Sequence, residues 1–382
     1  MKSLREIVES SPRMRSVAAQ GLRREEEPQP LGPARWDWGR VRSVLIVRLR
    51  SIGDTVLTTP PLFALRRFLP EARLDILLED WVAPLLENFS LVDNVIVLKR
   101  RSTTARLRLA REIRETQYDV VYNLHGGTTA TLLTRASGAP YRVGFAHYQY
   151  GRLHNHLAPS SLALWGTEKA HSVEQQLALL GWTGIPVSDR PPTQLGFSEA
   201  TAARVSAKLS AAGIDSLTPF ALVHPAAAFA TKQWAVEKFG KVAEYLAGRG
   251  ITTVALAAPH EAGMIEGLLA NTSVPIVGFA DLTLPEVTAL SARARVFVGN
   301  DSGIAHIAAA VQTPAVVIFG SSNLAHWKPW AAAPAEAVQE EMECQPCHGY
   351  FCEKFAQPEC ILRVPVARVI SAIERVLRES AF

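Results

Sequence analysis

Short apolar runs recur along the chain, separated by turn residues and by stretches with helical spacing. Ser43–Val47, Arg73–Leu78, Asn94–Leu98, Asp119–Leu124, Phe220–Val223, Thr252–Leu256 and Ala315–Phe319 read as strands. Most lack the polar alternation of a sheet with one wet face, as expected of parallel strands buried on both sides. Between them, Ala64–Phe68, Thr201–Ala212 and Glu237–Gly248 read as helices, the second ended by Gly213. A last amphipathic helix spans about 364–379, with Val364, Val366, Val369, Ile370, Ile373 and Val376 among charges. Strand and helix alternate as in βαβ units, so the predicted class is α/β. Pro186, Pro191 and Pro192 break the rhythm within 183–218. The expected division is an extension over 1–40, domains over 41–195 and 215–362, and a terminal helix over 363–382. The extension mixes both charges with Pro28, Pro30 and Pro33. It reads as disordered, or over 2–20 as a basic amphipathic helix on a membrane surface.

Two strand–turn–helix passages carry candidate chemistry. Val296–Val298 forms a strand and Gly299, Asn300 and Asp301 a turn. Ser302 is an N-cap, Gly303 opens the helix start, and Ile304–Val311 is the helix, stopped before Pro314. Free N–H groups at such a start suit a phosphate or diphosphate. Asp301 stands where a carboxylate meets sugar hydroxyls, and His306 lies one turn in. The first strand leads into Ser51, Ile52, Gly53, Asp54 and Thr55, a turn at the mouth of a doubly wound sheet. Asp54 reads either as a helix cap or as a general base.

Residues 299–310, Gly-Asn-Asp-Ser-Gly-Ile-Ala-His-Ile-Ala-Ala-Ala, with Thr-Pro and Phe-Gly following, resemble the signature of glycosyltransferase family 9. Residues 48–60, Arg-Leu-Arg-Ser-Ile-Gly-Asp-Thr-Val-Leu-Thr-Thr-Pro, are similar to that family's first motif. The family comprises the lipopolysaccharide heptosyltransferases, and the likeness runs over roughly 43–375. It implies a GT-B fold, two Rossmann-like doubly wound domains facing a central cleft, with a C-terminal helix that crosses back to the first domain. It implies inverting, metal-independent transfer of a heptose from ADP-heptose to a lipid A–Kdo core, with no cofactor. Asp54 matches the proposed base and Lys232 the lysine on the donor diphosphate. Thr231, Glu261, Leu282, Asp301, Ser302, Gly303 and His306 fall on the donor side. Ser51, Gly53, Thr55, His125 and Arg142 fall on the acceptor side. Glu261 reads equally as a helix cap, Arg142 as a structural ion-pair partner, and Trp234 as packing at a helix start rather than stacking on adenine.

Composition narrows the alternatives. Net charge is +4, with 48% hydrophobic residues, so an anionic partner is compatible and nucleic acid is not required. No apolar run spans a bilayer, and no signal-peptide core stands near the start. The expected location is cytoplasmic, with any contact peripheral on the inner membrane. The basic run from Lys99 to Arg114 reads as a solvated face or as a contact for phosphorylated headgroups. His147, His154, His156 and His171 have no metal spacing and read as surface or loop residues. Cys344, Cys347, Cys352 and Cys360 suggest four thiolates for a structural zinc, or else reduced thiols or a local disulfide. The absence of Gly-x-Gly-x-x-Gly after the first strand disfavours a dehydrogenase. A hydrolysing epimerase of the same shape, or a non-catalytic nucleotide-sugar module, stays open as a rival.

Overall fold

The computed structural model describes residues 27–100, 102–347 and 349–380. The proposed amphipathic segment at 2–20 lies outside them. The first half carries β1 (Ser43–Val47), α1 (Ile52–Val56), α2 (Thr59–Phe68), β2 (Arg73–Glu79), β3 (Asn94–Leu98) and α3 (Thr103–Thr116). It continues with β4 (Val120–Asn123), α4 (Thr128–Ala136), β5 (Tyr141–Phe145), β6 (His156–Ala158) and α5 (Ser172–Gly181). The second carries α6 (Glu199–Ala211), β7 (Phe220–His224), α7 (Val236–Gly248), β8 (Thr252–Leu256), α8 (Ala262–Ala270) and β9 (Ile276–Phe279). Then come α9 (Leu284–Arg293), β10 (Val296–Asn300), α10 (Gly303–Ala310), β11 (Ala315–Phe319), β12 (Ala335–Gln339) and α11 (Val366–Glu379).

The two sheets repeat one topology. Their strand orders are β3-β2-β1-β4-β5-β6 and β12-β11-β10-β7-β8-β9, with every pairing parallel. In such sheets the crevice opens beyond the carboxyl ends of the strands, where the winding reverses. That point lies between β1 and β4 in one half and between β7 and β10 in the other. The apolar runs explain the sheets: β7, β10 and β11 are buried at every position. Helices therefore cover both faces.

Four expectations change. The segment 27–40 is packed, not disordered. Leu31 N–H bonds the Gly181 carbonyl, and the Trp36 ring stacks on Tyr141 with centroids 4.5 Å apart. Aromatic burial outweighs the prolines that argued for disorder. Second, β10 runs on through Gly299 and Asn300, because Gly299 pairs with His224 and Asn300 with Ile318. Third, α11 does not cross to the first half. Val369, Ala372, Ile373 and Val376 are buried in the core of the second sheet. Fourth, α6 packs on α9 and belongs to the second half.

The halves are instead joined by the segment around 323–330. His171 caps α5, and its ring contacts the Lys328 carbonyl at 2.8 Å and stacks on Trp330. His154 is likewise buried, beside Asn123. Both are structural rather than surface residues. Trp234 is buried, with Nε1–H donated to the Val364 carbonyl at 3.0 Å.

Buried histidines make stability depend on acid. Burial lowers His171 to about 3, and His125, His224 and His306 to about 4. Each is neutral when folded and takes a proton more readily when unfolded, near pH 6.5. Their contribution is therefore present above that value and is lost as pH falls toward 4. Each extra proton bound by the unfolded chain costs about 1.4 kcal/mol per pH unit. Denaturant midpoints taken at pH 7, 6 and 5 should fall stepwise; a flat series contradicts this account.

Candidate active site

Both reversal points open onto one cleft of about 840 Å³. From the first half it receives Ser51, Gly53, Asp54 and Trp81; from the second, Lys232, Glu261, Leu282, Asp301, Ser302, Gly303 and His306. The walls meet at two glycines. A Cβ on Gly303 would lie 2.7 Å from Ile52 Cβ, and one on Gly53 would lie 2.7 Å from His306 Cδ2. The starts of α1 and α10 thus pack together, with Ile52 against Gly303 and His306 against Gly53. Gly303→Ala must push Ile52 aside or part the halves, at about 1–3 kcal/mol. A displacement of about 1 Å between reacting groups costs about 10²-fold in rate. The kcat of Gly303→Ala should therefore fall by about 10²-fold with only a modest loss of thermal stability; unchanged kcat would show that the added methyl does not part the halves.

Asp54 occupies the third position of α1. Its Oδ2 accepts from Ser51 N–H at 3.2 Å and from Ser51 Oγ at 3.0 Å, completing a capping box. Its Oδ1 accepts from the Arg48 guanidinium. The side chain stays 22% exposed, enough to meet a ligand. Ser51 is the helix cap, and Asp54 combines the capping role with a place in the cleft.

Across the cleft, Lys232 Nζ lies 2.8 Å from Asp301 Oδ2. Ser322 Oγ donates to the same oxygen. One oxygen of the Asp301 carboxylate is therefore engaged by the lysine and Ser322, while the residue still lines the cleft. Ser302 Oγ contacts His224 Nδ1 at 3.1 Å and leaves the amides of α10 uncapped by a side chain. Buried His306 has an unpartnered Nδ1. Glu261 caps its own turn through Ala258 N–H at 3.1 Å while still lining the cleft.

Four expected positions lie elsewhere. Thr231 is buried and faces the cysteine loop, with its Oγ1 3.3 Å from the Gly349 carbonyl and 3.0 Å from Ser321 Oγ. Thr55 is buried, and its hydroxyl donates to the Ser51 carbonyl at 2.7 Å. Arg142 sits near the amino end of β5, and its guanidinium donates to the Ala139 carbonyl at 2.5 Å. A parallel strand carries its ligand loop at the other end, so Arg142 is outside the cleft. His125 lines a neighbouring recess of about 350 Å³ with Arg50, Glu79, Arg100, Arg106 and Thr128. Part of the basic run thus surrounds a hollow rather than a plain solvated face.

Sequence reading missed Trp81, His224, Phe229, His260 and the partner of Asp54, Arg48. The first four follow from tertiary proximity, although Trp81 just after a strand was a signal; Arg48 stood six residues before Asp54 in the same motif. The four cysteines are free thiols around a separate recess of about 650 Å³. Among the described residues no three His, Cys, Asp or Glu side chains form a group able to hold a metal ion.

Twin Rossmann-like halves with a carboxylate on one wall, and a lysine beside a helix start on the other, define a GT-B glycosyltransferase. The sequence profile of glycosyltransferase family 9 (heptosyltransferase) matches residues 106–355. The chain belongs to that family. Lipopolysaccharide heptosyltransferase 3 of Escherichia coli K12 is 28% identical over 348 residues, covering 87% of this chain and 97% of that protein. Lipopolysaccharide heptosyltransferase 2 of the same strain is 27% identical over 297 residues, covering 73% and 83%. In fold, a family 9 glycosyl transferase from Veillonella parvula superposes with TM-score 0.79 at 21% identity, covering 88% of this chain and 98% of that one. E. coli ADP-heptose lps heptosyltransferase II superposes with TM-score 0.74 at 22% identity, covering 89% and 100%.

Proposed function

We propose that this glycosyltransferase moves a heptose from ADP-heptose onto a lipopolysaccharide inner-core acceptor, with inversion and without a metal ion. The observation that carries this reading is the single cleft holding Asp54 on one wall and Lys232 with the start of α10 on the other. The names of the relatives supply the sugar and the acceptor class. Asp54 takes the proton of the acceptor hydroxyl as its oxygen bonds the anomeric carbon. The bond from that carbon to the phosphate oxygen breaks, and ADP leaves with the electron pair. One displacement gives inversion. Lys232 and the free amides at Ser302 and Gly303 meet the charge that grows on the leaving phosphate. Glu261 and Leu282 border the nucleoside, and His306 lines the donor wall. Ser51 and Gly53 border the acceptor, and the His125 recess extends that side.

No described helix is long and apolar enough to cross a membrane. We place the reaction on the cytoplasmic side, with peripheral contact to the inner membrane where the acceptor lipid sits. Nucleic acid has no part in it. The test is ADP release from ADP-heptose with and without heptose-free core lipid. Release that depends on acceptor, with mass gain of one heptose on the lipid, is expected. ADP release without acceptor would favour a hydrolysing enzyme, and absence of ADP-sugar binding would reject the donor.

A further inference from the structure

The structure assigns Arg48 as a positioning residue: its buried guanidinium, anchored on the Leu124 carbonyl, keeps the Asp54 carboxylate ionised and fixed in direction. This rests on Asp54 being the base.

Arg48 follows β1 directly, and its backbone N–H bonds the Leu77 carbonyl at 3.1 Å. It is only 8% exposed. One terminal nitrogen donates to Asp54 Oδ1 and the other to the Leu124 carbonyl. Leu124 is itself tied to β1 through its N–H and the Val47 carbonyl at 3.0 Å. The guanidinium therefore clamps the ends of β1 and β4, the strands on either side of the winding reversal. Asp54 is held through both oxygens, by Arg48 on one and Ser51 on the other. A capping box alone would hold only Oδ2.

The arrangement is poor as a stability device. Burial lowers Arg48 to about 10, and its Nε has no partner. A buried ion pair of this kind is often no better than apolar packing. A cation against a carboxylate favours its ionised form, which is the form a general base needs. A planar guanidinium holds both partners in a rigid, preorganised fork, whereas an ammonium on its flexible stem fixes their direction less.

Other groups face the pair from every side. His125 follows β4, Tyr148 lies beyond β5, and His326 approaches from the second half. His306 of α10 packs against Gly53, and Lys232 with Asp301 lines the opposite wall. Burial holds His125 and His306 near 4, lowers His326, and raises Tyr148 to about 12. Arg50 also lies beside His125.

The experiment compares Arg48→Gln, Arg48→Lys and the unaltered protein by pH profile of kcat, with ADP affinity and thermal melting as controls. Arg48→Gln should move the acid limb upward by about one pH unit. Arg48→Lys should keep the limb in place but lose about tenfold or more in kcat at similar donor KM. A folded Arg48→Gln with an unmoved acid limb would overturn the assignment. Should that variant fail to fold, wild-type kcat in Arg48→Lys would overturn it equally. Asp54→Asn separates the two readings: wild-type turnover there rejects the base itself, whereas loss there with unmoved limbs rejects only Arg48.

Discussion

Asp54→Asn is expected to lower kcat for heptose transfer by about 10²–10⁴-fold, the range for loss of a general base. The amide keeps the size of the carboxylate and can still accept from Ser51, but it cannot take the proton. ADP binding should be nearly unchanged, because Lys232 and the α10 amides belong to the other wall. One side effect is foreseeable. The substitution strips the counter-charge from buried Arg48, and an uncompensated buried charge destabilises strongly. The melting temperature should fall, so turnover must be measured well below it. Isothermal titration with ADP and single-turnover transfer together check the prediction. Turnover within tenfold of wild type would remove Asp54 from the chemistry.

The second large effect falls on Lys232. Lys232→Met should cost about 10²–10³-fold in kcat, as removal of one preorganised donor to a developing anion does. ADP affinity should drop as well, and for a specific reason. Asp301 now accepts from Lys232 and Ser322 on one oxygen. Without the lysine its negative charge faces the place proposed for the diphosphate. Asp301→Asn added to Lys232→Met should therefore recover part of the lost ADP affinity, though not kcat. Neighbours that share a partner are not additive. Strict additivity of the two changes would mean that Asp301 and Lys232 act separately, against the geometry.

Much of the fold was legible because it depends on local pattern. Ser43–Val47, Asn94–Leu98, Thr252–Leu256 and Ala315–Phe319 read as strands and appear with those bounds. Runs of Val, Leu and Ile without polar alternation leave few other options. Errors came where a tertiary partner decides. Nothing local says that Trp36 finds Tyr141, or that α11 lies on the second sheet. Arg142 looked like an anion binder as a residue type, but its distance from the reversal point is a matter of register. Thr231 and Lys232 are adjacent, yet a tight turn sends one to the cysteine loop and the other to the cleft.

By itself the chain of residues determined the α/β class, the two-part division, and the two turns where Asp54 and Asp301–Gly303 would stand. Apolar periodicity, glycine and capping residues act over a few positions, so they need no knowledge of the rest. Tertiary structure alone decided that Asp54 is clamped by Arg48, that Asp301 is engaged by Lys232, and that Gly53 and Gly303 let the walls touch. Arg48 and Asp54 stand six residues apart and Lys232 and Asp301 sixty-nine, each pair within one half, whereas Gly53 and Gly303 come from different halves. The first two form as each half winds and the third only once the halves meet, because electrostatic pairing and close approach depend on distance in space.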